Sequence, residues 1–438
     1  MKNITLNNLI LIAIHICIGF LVTIPIFAKA YGLIIIPLLS FIIIFYGNKN
    51  EEALIMAAYI VGAEVFLRMT KSSVLYEVGK YSVVFFLFLG FIKEGSRRTP
   101  PISFIFYILL LLLGIIFTKV PEGESLRKAI AFNLSGPIML GICVLYFYKK
   151  TIKVDKIYKA LLYMLLPLIS MVTYLFFRTP DLSELVFGSS ANFSASGGFG
   201  PNQVATAIGL GIYILTILII VKYKVTGYTI LDSVILFYFI YRGFLTFSRG
   251  GIFTAAIAII SFVILFVISE KSSKIFFKYI FLGGVFLFTT WIYTSNITGG
   301  MLNNRYAGKN ALGEQKKDIT SGRVEILKQE FSFFLNNPLG LGVGNSKYER
   351  EKVLVGDAVP THNEFGRLIS EHGVFGFIII IILLLAPFFC FQSNTYFQNA
   401  FLVSFFILWF LTISHSGMRI ALPGFIYGLS LTKIINND

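Results

Sequence analysis

Two kinds of residue could do acid–base or anion chemistry in this otherwise apolar chain: its four histidines and a few arginines set beside glycine or at the edge of an apolar run. His362 stands in Thr361-His362-Asn363-Glu364, where a polar segment meets an apolar one. Imidazole titrates near neutral pH, which suits a general base. A lone histidine is often structural, but here polar neighbours surround it at the mouth of an apolar body. Thr361 or Asn363 could cap the following helix. Glu364 could partner His362 or serve as a favourable first-turn charge.

Arg249 lies in Phe247-Ser248-Arg249-Gly250-Gly251, between two apolar runs with almost no loop. An arginine at that depth is costly unless it is paired or faces water. It could snorkel to the headgroups. It could also build an anion site, since glycines allow close backbone approach, the next helix N-terminus adds a favourable dipole, and guanidinium matches phosphate in bidentate fashion. Arg242, Arg323 and Arg419 fall on the same side. His415, beside Ser414, Ser416 and Arg419, lies at the last turn on that side and could join the site. Asn202, just after Pro201, fits either a helix-start role or a substrate contact. His372 reads as buried and hydrogen-bonded, or as lining a path, and His15 as a packing residue. Glu64 and Arg68, four apart, read as an intramembrane ion pair. With no HExxH, no DxD and no clustered outer carboxylates, the expectation is metal-independent chemistry without a cofactor.

The elements that position these residues are membrane helices. Of 438 residues, 56% are hydrophobic and 13% charged, against about 25% charged in a soluble domain. Apolar runs of bilayer length recur about 14 times from residue 9 to residue 434, the last three at 364–391, 397–413 and 418–434. The expected fold is an all-α polytopic membrane protein of about 12–14 transmembrane helices in one domain, residues 1–438. The N-terminal run, with Lys2 and Ala28-Lys29-Ala30, has a signal-peptide look, but the next run follows at once, so a retained first helix is the better reading. Cys17, Cys143 and Cys390 are isolated within apolar runs and read as packing or lipid-facing residues.

The formal charge of +15 sits largely in short connections, as orientation signals and anionic-lipid contacts rather than a nucleic-acid footprint. Alternation from the basic loops puts both termini inside. It puts 179–201, the 242–250 turn and the long 295–363 segment outside, although Arg68, Lys71 and Lys80 then fall outside against the rule. Within 295–363, residues 323–335 read as a short amphipathic helix stopped by Asn336-Asn337-Pro338. Gly340-Leu341-Gly342-Val343-Gly344 resembles a phosphate loop, but no strand precedes it and no helix start obviously follows, so it reads as a tight turn.

Five segments in order, GPNQVA at 200–205, FSRGG at 247–251, SGRVEIL at 321–327, NPLGLGVGN at 337–345 and THNEFGRLISEHGVFG at 361–376, resemble the bacterial O-antigen ligase and O-antigen polymerase superfamily. The resemblance covers about residues 195–380. It implies a glycan transferase of the bacterial inner membrane, active on its periplasmic face. The implied donor is an undecaprenyl-diphosphate-linked glycan. The implied acceptor is lipid A-core for a ligase, or a second lipid-linked glycan for a polymerase. By the resemblance, Arg249 and Arg323 hold the donor diphosphate and His362 is the base. The ligase is the preferred label. A lipid-linked oligosaccharide flippase is the rival from another class, but the chain shows no clear internal repeat and its polar features cluster on one face.

Overall fold

The computed structural model describes residues 2–436 apart from 96–98, 181–189, 272, 317, 319–321, 354–361 and 392–393. Ser321 and Thr361 lie outside the described residues, as do residues 181–189 of the 179–201 loop. The first half comprises α1 (Lys2–Leu21), α2 (Pro25–Tyr46), α3 (Glu52–Met69), α4 (Val78–Glu94), α5 (Ile102–Leu113), α6 (Leu126–Phe147), β1 (Thr151–Lys153), α7 (Val154–Arg178) and α8 (Pro201–Ile220). The second half comprises α9 (Thr229–Leu245), α10 (Arg249–Glu270), α11 (Ser273–Ile297), α12 (Met301–Tyr306), α13 (Arg323–Asn336), α14 (Asn345–Val353), α15 (Glu364–His372), α16 (Val374–Phe391), α17 (Tyr396–His415), α18 (Leu422–Ser430) and β2 (Lys433–Ile435).

Seven of these helices, α2, α6, α7, α8, α10, α16 and α17, are long and apolar enough to cross a bilayer, and Leu6–Leu21 and α5 are shorter apolar helices. Large apolar side chains stand exposed on the outer helices, such as Ile26, Phe45, Ile102, Ile260 and Phe389, as a lipid-facing surface requires and a water-facing one does not tolerate. The chain is therefore a multi-pass α-helical membrane protein. Every residue of α3 is buried. It lies against α7 and α4, and its Ala and Gly residues let those backbones come close. A Cβ at Gly251 would stand 2.1 Å from the Ala205 carbonyl oxygen, so Gly251 is used to bring α10 onto α8.

Two expected spans take another form. The 364–391 run breaks into α15 and α16 at Gly373, which has φ +58° and a Cβ direction that would meet the Pro338 oxygen at 2.1 Å. The Asn337–Gly340 turn crosses there, and Val374 N donates to the Pro338 carbonyl. The 418–434 run yields only the nine-residue α18. Ahead of it, the backbone N–H groups of Met418 and Ala421 donate to the Glu364 and Glu64 carboxylates, which takes them out of any helical ladder. Beyond it, β2 pairs in parallel with β1.

Candidate active site

Arg249 and Arg323 each occupy the first position of a helix, α10 and α13 respectively. Helix N-termini carry partial positive charge, so a cation there is unfavourable unless an anion offsets it. The two residues are also close to each other. Burial, then Arg249, lowers the pKa of Arg323. Burial, then Arg249, with Arg323 further down the order, lowers that of Arg305 near the end of α12. Lys316 is lowered by burial and then by Arg305 and Arg249. Arg305 Nε donates to the Phe247 carbonyl at 3.0 Å, tying α12 to the turn that presents Arg249. Four cations and two helix N-termini thus converge on one place.

His362 lies beside this cluster, one residue before the α15 cap. Burial, then Arg419, Arg323, His415 and Arg350, depress its pKa to about 4. Arg323 reaches it from α13, Arg350 from α14, and His415 and Arg419 from the end of α17 and the turn beyond. The imidazole is therefore neutral across the physiological range, and an anion bound among these cations would raise its basicity.

A buried charge network holds the far wall. Glu364 pairs with Arg367, and Arg367 reaches Glu371 at 2.9 Å. Arg350 pairs with Glu330 at 3.0 Å, which locks α14 to α13. Ser346 Oγ donates to Glu371 at 3.0 Å. The glycine turn docks here rather than on a ligand: Leu341 N and Gly342 N donate to the Ser370 and Glu371 carbonyls, and Gly340 and Gly342 both have φ +91°. Contrary to the sequence expectation, a helix, α14, starts directly after the turn.

Two hollows open among α13, α14, α15 and the turn after α17. A cavity of about 480 Å³ is lined by ionic, polar and aromatic side chains that include Lys128, Phe132, Asn133, Tyr348, Arg350 and Arg419. An apolar groove of about 450 Å³ is lined by Leu327, Lys328, Phe331, Gly366 and Ile369. It begins one turn along α13 from Arg323. Val324, Leu327, Phe331 and Leu335 leave that helix with an exposed apolar face.

The remaining residues singled out in the sequence take other places. Asn363 caps α15, its Oδ1 accepting from Phe365 N and Gly366 N. Glu364 partners Arg367 rather than His362. Asn202 Oδ1 accepts from Ser248 Oγ at 2.8 Å, fixing the start of α10 to α8. Arg242 is buried and donates to the Leu175 and Ala195 carbonyls and to Thr179 Oγ1, so it pins the 192–200 segment instead of reaching the cluster. His415 Nδ1 donates to the Leu411 carbonyl at 2.7 Å, and its ring covers Gly250. His372 is fully buried, but neither ring nitrogen has a hydrogen-bond partner. Sequence reasoning missed Arg305, Arg350 and Arg367. Arg305 carried the one available signal, an arginine closing a short polar-edged helix in the long 295–363 segment.

Residues 234–381, about a third of the chain, match the family model described as O-antigen ligase. The matched segment holds Arg249, Arg305, Arg323 and His362, and leaves Asn202, His415 and Arg419 outside. No curated protein and no solved structure matches the chain.

Proposed function

We propose that this chain, a third of which matches the O-antigen ligase family model, is a member of the O-antigen ligase and polymerase superfamily and moves a glycan from an undecaprenyl-diphosphate donor to a sugar hydroxyl at the outer face of the bacterial inner membrane. The observation that carries this reading is the convergence of Arg249, Arg305 and Arg323 beside a neutral His362, together with an apolar groove along α13 and a polar cavity lined by Arg350 and Arg419. Such a donor needs all of these features. Its lipid lies along the apolar face of α13, its diphosphate sits among the arginines, and the acceptor sugar enters from the 480 Å³ cavity, a size within the range of small-molecule sites.

In the proposed step His362 takes the proton of the acceptor hydroxyl. The oxygen forms its bond to the anomeric carbon as the bond from that carbon to the diphosphate oxygen breaks. The electron pair departs with undecaprenyl diphosphate, whose growing charge the arginines stabilise. A single displacement inverts the anomeric configuration. No metal or cofactor takes part in this scheme. The ligase reading, with lipid A-core as acceptor, is preferred to the polymerase reading with a second lipid-linked glycan. Purified full-length protein given labelled undecaprenyl-diphosphate glycan, with either lipid A-core or excess donor, tests this. Extension of either acceptor supports glycan transfer and identifies its class; consumption of neither overturns it.

Two outcomes follow from the geometry. The acid limb of kcat/KM, which reports the free enzyme, falls through about pH 4, where His362 titrates. Donor diphosphate brings negative charge among the cations that depress His362, so the acid limb of kcat lies at higher pH. Coincident limbs in a full pH profile would contradict this. In the cavity, Asn133→Ala and Phe132→Ala raise the acceptor KM by about tenfold, equivalent to about 1.4 kcal/mol, and leave the donor KM unchanged. Steady-state kinetics with each substrate varied separately checks the assignment.

A further inference from the structure

Arg419 is the foremost charge acting on His362, yet it belongs to a six-residue turn, 416–421, outside the segment that matches the family. The backbone of that turn is held by the first half of the chain. The Arg419 carbonyl accepts from Arg68 Nη1 at 3.1 Å. Ala421 N donates to Glu64 Oε2 at 2.5 Å. Glu64 and Arg68 pair at 2.5 Å, both almost wholly buried on α3. Arg68 is itself fixed by the Tyr76 carbonyl at 3.0 Å and by lying over the Tyr76 ring at 4.1 Å. Glu77 lies 3.7 Å from Arg68 and pairs with Lys80. On the other side of the turn, Met418 N donates to Glu364 Oε2 at 3.2 Å.

The α3–α4 group holds two carboxylates and two cations, so it carries no net charge with which to bind an anion. Burying four charges is a weak way to gain stability. What this group does is bond the turn's backbone just beyond the Arg419 side chain, at the Arg419 carbonyl and the Ala421 N–H, while Glu364 holds it just before, at Met418 N. We propose that Glu64 and Arg68 are positioning residues for Arg419, holding the 418–421 backbone so that its guanidinium stands beside His362. The inference rests on the reading of His362 as the base. It makes the N-terminal half part of the active site rather than a membrane anchor.

The test uses full-length protein in nanodiscs and reads the acid limb of kcat/KM. The charged groups acting on His362 are Arg419, Arg323, His415 and Arg350, with Glu364 two residues along the chain. Removing the first of these, in Arg419→Met, moves the limb to higher pH by about one unit. Arg68→Met moves it in the same direction, and the double variant Arg68→Met/Arg419→Met moves it no further than Arg419→Met alone. Arg68→Lys keeps the charge but cannot hold both the Tyr76 and Arg419 carbonyls, so it gives an intermediate shift. Where Arg68→Met does not fold, the near-isosteric Glu64→Gln takes its place. A folded Arg68→Met or Glu64→Gln with an unmoved limb overturns the inference, as do additive shifts in the double variant or an unmoved limb in Arg419→Met. An active His362→Ala overturns the underlying reading instead, so the two failures are distinguishable.

Discussion

His362→Ala abolishes detectable glycan transfer while leaving donor binding intact. General-base catalysis contributes about 10²–10⁴ in rate, and here the base has no obvious deputy. His415 already donates Nδ1 to the Leu411 carbonyl and packs over Gly250. His372 is sealed inside the bundle. The loss falls on kcat, because an imidazole that meets the acceptor proton does not hold the donor. His415→Ala, by contrast, costs less than His362→Ala. Parallel turnover and donor-binding measurements on both variants check this. A His362→Ala protein that transfers glycan at the wild-type rate removes the base assignment.

Arg323→Ala and Arg249→Ala have the next largest effect, each lowering kcat by about 10²–10³, or about 2.7–4 kcal/mol of transition-state stabilisation. Both residues begin helices, so in the proposed site two N-terminal dipoles act on the diphosphate together. The two losses therefore combine to less than their product, since one arginine already recruits part of the charge that the other would stabilise. Arg323→Lys recovers only part of the activity, because an ammonium keeps the charge but loses the two-pronged fit to a phosphate. Removing Arg249 or Arg323 also relieves the repulsion on Arg305, so these variants are not expected to fail through misfolding. Full activity in Arg323→Lys would exclude bidentate recognition.

Much of the architecture was legible in the sequence, because hydrocarbon length and helix length are one constraint in a bilayer. The runs around α6, α7, α8, α10 and α17 came through with their ends nearly in place. The α13 helix was legible too, from the spacing of Val324, Leu327 and Phe331 and the Asn-Asn-Pro stop. The misreadings were local and tertiary. Nothing in GVFGFIII announces that Gly373 must turn to let the Pro338 carbonyl through. Nothing in HSGMRIALPG announces that two distant carboxylates hold its backbone out of a helix.

The site followed the same pattern. Arg323 stood out through the family resemblance of its segment, and His362 and Arg249 stood out because a polar residue at the edge of an apolar run needs a reason. Arg242 stood out on the same grounds, and the structure gives it three oxygen partners away from the cluster. Position beside an apolar run signals burial but not which neighbour compensates it. Arg350 and Arg367 were missed for a different reason. Arg350 sits in a stretch polar enough to pass as solvated and Arg367 among the polar residues that open the 364–391 run, and only the fold shows that they are buried against Glu330, Glu364 and Glu371.

The central claim is that diphosphate leaves into the Arg249–Arg305–Arg323 cluster as a sugar hydroxyl, activated by His362, attacks the donor carbon. The most direct measurement is the stoichiometry of lipid product in a reconstituted reaction with undecaprenyl-diphosphate glycan. The account predicts one undecaprenyl diphosphate released per glycosidic bond formed, and release abolished together with transfer in His362→Ala. Release of undecaprenyl monophosphate, or bond formation without release of the lipid diphosphate, would contradict it.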